Sequence, residues 1–266
     1  MEFISHSQHA DDYIAWQLLG KKFDGIVVEV GAFDGVHLSN SFSLAKLGWE
    51  SVCVEPNPVI YPHLCKNRPN TVNVNAAVVS DPNIEEIQFY REEIGVLSGC
   101  AYDEEDVKAR YKKRGLDYKE PEKLTVPAKT LSSILLESGL QNKVIDIVSI
   151  DVEGFEMEVL KGLNFNDFEV NLFIIEANDD NYRQLILDYF KDHNSYLHVG
   201  DNHQNLFLVR KSSISKRNLR SLDFDAFIRA RQYHPIDESL VKHSIKPFFK
   251  KSPEALAYEK AWWKIW

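Results

Sequence analysis

The sequence predicts an α/β protein built on one mostly parallel sheet with helices on both faces. Three observations carry this. Short, almost wholly apolar runs at 26–30, 51–54, 144–150 and 170–175 read as strands buried on both faces. They alternate with stretches of helical period, as β-α units do. The last two strand-like runs flank residues 200–205, which read as a hairpin adding an antiparallel strand.

Taken in order, residues 8–19 read as a helix with Ile14, Trp16 and Leu18 available for burial and Gly20 as its stop. The first strand is 26–30. A helix is predicted from Ser39 or Asn40, both good caps, through Leu44 and Leu47 to Gly48. The second strand, 51–55, ends on Glu55. Pro56 and Pro58 then open a helix that runs out at 67–69. A third strand is predicted over 72–79, then a turn at 80–82 and a short strand over 87–90. Residues 95–123 carry a block of acids followed by a block of bases and few large apolar residues. They read as an insertion with one short helix and as a candidate lid. Alternation then resumes. A helix is expected over 130–137, a strand over 144–150 ending at Asp151, and a helix over 154–163. A strand over 170–175 ends at Glu176, and a helix over 181–192 turns Leu185, Ile186, Tyr189 and Phe190 inward. Strands at 196–199 and 206–209 close the domain, 1–211. The rest, 212–266, shows no strand pattern. It is rich in aromatics: Phe224, Phe227, Phe248, Phe249, Trp262, Trp263 and Trp266. Packing on the body or a contact between subunits of a homo-oligomer would cover them.

The chain has 266 residues, 44% apolar and 27% charged, which suits one large soluble domain with an appendage. Cys53, Cys65 and Cys100 form no ligand pattern and read as filler. The first twenty residues have no signal-peptide character, and no apolar run is long enough to span a membrane, so the expected compartment is the cytoplasm. Charge is uneven. Residues 1–204 hold 18 Lys and Arg against 34 Asp and Glu, whereas 205–266 hold 13 against 6. An acidic body argues against a nucleic-acid partner. The basic tail suits a phosphate-bearing substrate, an anionic surface or the acidic body of a second subunit.

The chemistry begins at 27–35, Val-Val-Glu-Val-Gly-Ala-Phe-Asp-Gly. A strand, a turn with Gly31 and Gly35, and a following helix form a corner that backbone and ligand can share closely. The spacing is not that of the dinucleotide fingerprint, which weakens a nicotinamide reading. Twenty residues past Gly35, Glu55 ends the next strand, where a carboxylate can accept both hydroxyls of an adenosine ribose. Corner and acid together suggest S-adenosylmethionine.

Three motifs, Glu-Val-Gly-Ala-Phe-Asp-Gly at 29–35, Val-Glu-Pro-Asn-Pro at 54–58 and Ser-Ile-Asp-Val-Glu-Gly-Phe-Glu-Met-Glu-Val-Leu-Lys-Gly at 149–162, resemble the FkbM family of S-adenosylmethionine-dependent methyltransferases. The third motif is the most specific. The resemblance covers about residues 7–210 and not the tail. It implies a class I methyltransferase (Rossmann-like) sheet of seven strands in the order 3-2-1-4-5-7-6. It also implies O-methylation, often of a sugar hydroxyl during glycan or secondary-metabolite assembly.

On this reading Gly31 and Gly35 let backbone approach the methionine part of the cofactor, with Glu29 or Asp34 near its ammonium group. Asn40 reaches the carboxylate or caps a helix, Glu55 holds the ribose, and Asn75, with Ala76 and Ala77, contacts adenine. Chemistry is expected at the carboxyl ends of the fourth and fifth strands. Asp151, Glu176 and Asn178 are hard oxygen donors of the kind magnesium takes. By resemblance to metal-dependent O-methyltransferases of the same fold, they are a candidate divalent-metal set. The metal-free alternative uses Asp151 or a histidine, His198 or His203, as general base. The acceptor is expected to be a sugar of a glycan, nucleotide sugar or glycolipid precursor. Rival readings are a small secondary metabolite as acceptor, a non-catalytic scaffold that keeps the fold, and a nicotinamide dehydrogenase.

Overall fold

The computed structural model describes residues 3–92, 97–113, 115, 117–193, 195–222, 228–233, 240–245 and 248–260. Of the tail aromatics, Phe224, Phe227, Trp262, Trp263 and Trp266 lie outside this set. The chain begins with β1 (Ile4–Ser5), α1 (Asp11–Leu18), β2 (Ile26–Val30), α2 (Phe42–Lys46), β3 (Glu50–Val54), α3 (Tyr61–Asn67) and β4 (Val72–Val74). Next come β5 (Ala77–Val78), β6 (Glu86–Arg91), α4 (Glu104–Lys113), β7 (Glu122–Lys129) and α5 (Leu131–Glu137). The second half adds β8 (Val144–Ile150), α6 (Glu156–Lys161), β9 (Glu169–Glu176), α7 (Asp180–Asp192), β10 (Tyr196–Asn202) and β11 (Asn205–Arg210). The tail holds α8 (Lys216–Arg220), β12 (Ile228–Tyr233), β13 (Leu240–Ile245), β14 (Phe249–Lys251) and α9 (Pro253–Lys260).

The main sheet runs β14-β10-β11-β9-β8-β2-β3-β4. Its seven inner and body strands stand in the expected order. The expectation of seven is corrected to eight, because β14 pairs antiparallel with β10 at the edge. Strands β4, β3, β2, β8 and β9 are parallel, and β11 reverses. Successive side chains of a strand face opposite ways, so each apolar run feeds two cores. Val28, Val148 and Phe173 pack with Ile134, Leu160 and Ile186 on one face. Val27, Ile147 and Leu172 pack with Ile14, Leu44, Leu219 and Ala255 on the other. No helix among the described residues is long and apolar enough to cross a membrane.

Four expectations are corrected. The strand predicted over 72–79 is two strands: β4 ends the main sheet, and β5 joins β7 and β6 in a separate three-stranded sheet. Strand β7 was unforeseen; its exposed Glu122, Lys123 and Thr125 give it no two-faced apolar run. The tail, which shows no strand pattern in sequence, forms β12, β13 and β14. Leu185 points to water, 50% exposed, while Ile186 and Phe190 are buried.

Candidate functional site

Strand register builds the site. Val30 lies opposite both Val54 and Ile150, and Ile150 lies opposite Ile175. The next residue on each strand is therefore brought to one row: Gly31, Glu55, Asp151 and Glu176. This row lines a cavity of roughly 400 Å³ at the carboxyl edge of the sheet, a volume suited to a cofactor-sized ligand. The main chain ties the row together, since Gly31 N donates to Val54 O and Asp151 N to Val30 O, both at 3.0 Å. Gly31 has φ +86°, and a Cβ there would stand 1.8 Å from the Asp151 carbonyl oxygen. Its glycine is required where β2 and β8 meet.

At one end stands Glu55, buried and held by the N–H groups of Phe33 and Asn57, both at 2.8 Å. Each carboxylate oxygen keeps a second lone-pair direction for a ligand hydroxyl. Burial pushes its pKa up to about 7, against the pull of those two N–H groups. Beside it, Ala76, Ala77, Val78, Phe89 and Leu97 make an apolar wall. Glu29 also lines the cavity, but its oxygens already accept from Ser39 Oγ (2.7 Å), Asn40 N (2.6 Å) and Ser41 Oγ (2.6 Å). The expected cap at Ser39 or Asn40 is thus corrected: α2 starts later, at Phe42, and both residues serve Glu29. Asn40 gives its Nδ2 to Ser149 Oγ at 2.9 Å, and its Oδ1 is buried without a partner. A buried acceptor left open on a cavity wall is a position for a ligand donor.

Other expected cofactor residues stand off the cavity. Asp34 folds its own turn by accepting from Val36 N and His37 N. Gly35 is glycine because a Cβ would meet Leu64 at 2.5 Å and Arg68 at 2.6 Å. Asn75 donates to the carbonyls of Glu55 (2.7 Å) and Pro56 (3.2 Å), so it braces the Glu55 loop rather than facing the cavity. None of the three is a lining residue.

The other end is acidic. Carboxylate oxygens of Asp151, Glu153 and Glu176 lie within 4.8 Å of one another. Burial within the fold and then the charge of Glu176 push the Asp151 carboxyl well up, although its side chain is open to the cavity. Glu153 is pushed up to about 7 by burial and Glu176, against the ion pair with Arg110. Glu153 also holds φ +55°, a left-handed conformation that costs a non-glycine residue about 1 kcal/mol. The neighbouring loop is folded by buried Glu156, which accepts from Val152 N and Gly154 N. Glu176 accepts from Asn178 Nδ2 (3.0 Å) and Gln204 Nε2 (3.1 Å). The convergent oxygen donors are thus three carboxylates, with Glu153 in the place expected of Asn178, whose NH₂ faces Glu176. Such donors suit a hard divalent cation, but Arg110 already answers one of them.

The histidine expectations are corrected. His203 is exposed at the β10–β11 turn and stacks on His9; it does not line the cavity. His198 is turned to Asp201, 2.8 Å away. Arg110 and Gln204 are among the lining residues that sequence reasoning missed. Gln204 was findable as the turn residue next to the partner of Glu176; nothing in the local sequence marks Arg110.

The Methyltransferase FkbM domain model matches residues 29–207, which span the whole row from Glu29 to the last strand of the body. The chain belongs to the FkbM methyltransferase domain family. By family and fold it is an S-adenosylmethionine-dependent methyltransferase. No curated protein matches the sequence. Solved structures similar to it include precorrin-6Y C5,15-methyltransferase of Geobacter metallireducens GS-15, at 11% identity and TM-score 0.38, covering 79% of this chain and 90% of that one. The human methyltransferase 10 domain containing protein is similar at 11% identity and TM-score 0.40, covering 74% and 79%. The METTL16 methyltransferase domain is similar at 9% identity and TM-score 0.43, covering 74% and 65%.

Proposed function

We propose that this FkbM methyltransferase moves the methyl group of S-adenosylmethionine to a hydroxyl of a sugar, in a cytoplasmic glycan, nucleotide-sugar or glycolipid precursor. The observation that carries the reading is the row itself: a buried carboxylate held by two N–H groups at one end of the cavity and an acid cluster at the other. Glu55 accepts from the ribose hydroxyls, and Ala76 and Ala77 with Phe89 flank the adenine. The open Asn40 Oδ1 takes an N–H of the methionine ammonium group. The acceptor hydroxyl then faces Asp151 and Glu176.

Its oxygen attacks the methyl carbon in line, the carbon–sulfur bond breaks, and S-adenosylhomocysteine leaves. The hydroxyl proton passes to Asp151, whose raised pKa makes it a competent base. Glu176, fixed by Asn178 and Gln204, sets the geometry. The sulfonium charge disperses in the transition state, so alignment and exclusion of water supply most of the rate. Residues 97–100 and Arg110 line the cavity, and on this reading they serve that exclusion.

The test is mass spectrometry of candidate glycans from cells with and without the protein. A species heavier by one CH₂ only when the protein is present supports the reading; glycans identical in both, with purified protein inert on them, oppose it. A second reading is favoured by the convergence of Asp151, Glu153 and Glu176, which would hold one divalent cation and let it polarise the hydroxyl. Dialysis against a chelator separates the two. Retained transfer is expected here; loss that magnesium restores favours the second reading.

A further inference from the structure

A second groove, of roughly 440 Å³, lies beside the main cavity. Asn178 and Gln204 line both, so the groove begins where the acid cluster ends. Of three neighbouring rings, His203 and Phe248 line the groove and His9 lies off it. His9 stacks on His203 with centroids 3.9 Å apart, and Phe248 follows 5.8 Å from His203. Phe248 is 69% exposed. An open ring leaves apolar area in water that a flat, partly apolar ligand would cover.

The set of rings is built rather than incidental. Asn202, fully buried, donates from Nδ2 to His9 O (2.7 Å) and accepts at Oδ1 from Phe248 N (3.0 Å). It also precedes His203 in the chain, so one side chain ties together the three segments that carry the rings. Burial and the neighbouring His203 lower the His9 pKa to about 4, which leaves a neutral ring at working pH.

The polar groups of the groove discriminate among ligands. Asp179 caps α7, and Arg183 is paired with Asp201 at 2.7 Å. Asp180 and Lys250 remain on the walls as hydroxyl partners. Acids outnumber bases, so a polyphosphate or nucleic acid meets repulsion. A pyranose presents an apolar C–H face to a ring and hydroxyls to carboxylate, amide and ammonium groups.

We propose that this groove is a subsite for a neutral saccharide chain, holding the sugar residue next to the one that receives the methyl group. It rests on the sugar-acceptor reading above. The experiment measures kcat/KM for methyl transfer from radiolabelled S-adenosylmethionine to neutral glycans, separated into monosaccharide and oligosaccharide pools. Wild type should prefer the oligosaccharides. Phe248→Ala should lower kcat/KM on them about tenfold more than on monosaccharides, the scale of uncovering one aromatic contact. Phe248→Trp, which keeps a ring, should retain the preference. Phe248 is exposed, so neither substitution disturbs the core. Equal rates of wild type on both pools, or equal losses on both in Phe248→Ala, overturn the subsite while leaving the sugar reading intact. Wild type inert on both pools overturns the sugar reading and the subsite with it.

Discussion

On the proposed reading, cofactor binding turns on Glu55. Its pKa of about 7 leaves much of the carboxyl protonated at slightly acidic pH, where it loses acceptor capacity for the ribose. S-adenosylmethionine affinity is therefore expected to rise from about pH 6 to about pH 8. Glu55→Gln should bind about tenfold or more weakly at high pH and lose that dependence, as titration calorimetry across the range would show. The sign for stability is opposite. The folded, unliganded protein binds more protons than the unfolded chain between the ordinary carboxyl pKa and about 7, so this group's contribution falls as pH rises through that window. On the same reading, Asp151 serves the chemistry rather than cofactor binding. Asp151→Asn should cut kcat by about a hundredfold or more, with cofactor affinity near wild type by calorimetry. The place of both acids on the cavity row was legible in sequence because each follows an apolar strand in register with its neighbours. Asp34, Asn75 and His203 were not correctly placed. Their positions in the chain were right, but side-chain direction depends on local turns: Asp34 accepts its own loop's N–H groups, and Asn75 turns back to the Glu55 carbonyl.

Among elements, β2 and β8 carry the site because their ends come very close at Gly31. Gly31→Ala would drive a methyl group into the Asp151 carbonyl and force a left-handed alanine. The expected cost is about 2 kcal/mol or more in urea unfolding, together with weakened methyl transfer as Asp151 shifts. An unchanged midpoint would mean that the two strand ends are farther apart. Parallel strands were easy to read because burial on both faces leaves a continuous apolar run. Strand β7 was hidden by its one-sided burial: Val126 and Ala128 are covered while Lys123 and Thr125, on the other face, meet water. Pro127 obscured it further, being disfavoured in central strands.

For the whole molecule, described parts of the tail belong to the core despite lying outside the family match. Leu219 and Ala255 are fully buried against the sheet face that carries Leu172 and Phe207, and β14 continues the sheet. Deleting residues 212–266 should lower Tm by more than about 10 °C, since several buried apolar side chains are uncovered at once. An unchanged Tm in a scanning-calorimetry trace would show an independent body. The tail's fold was illegible because its strands depend on pairing with distant partners, β14 with β10 and β12 with β1. Such pairing is a property of the assembled sheet and leaves no local period.

The central claim is that one row of strand ends grips adenosine at Glu55 and presents a hydroxyl to Asp151. A crystal structure with bound S-adenosylhomocysteine tests it most directly. Both ribose hydroxyls should lie about 3 Å from the Glu55 carboxylate, with the sulfur on the side of Asp151. Adenosine bound elsewhere, or a sulfur turned away from Asp151 and Glu176, would contradict it.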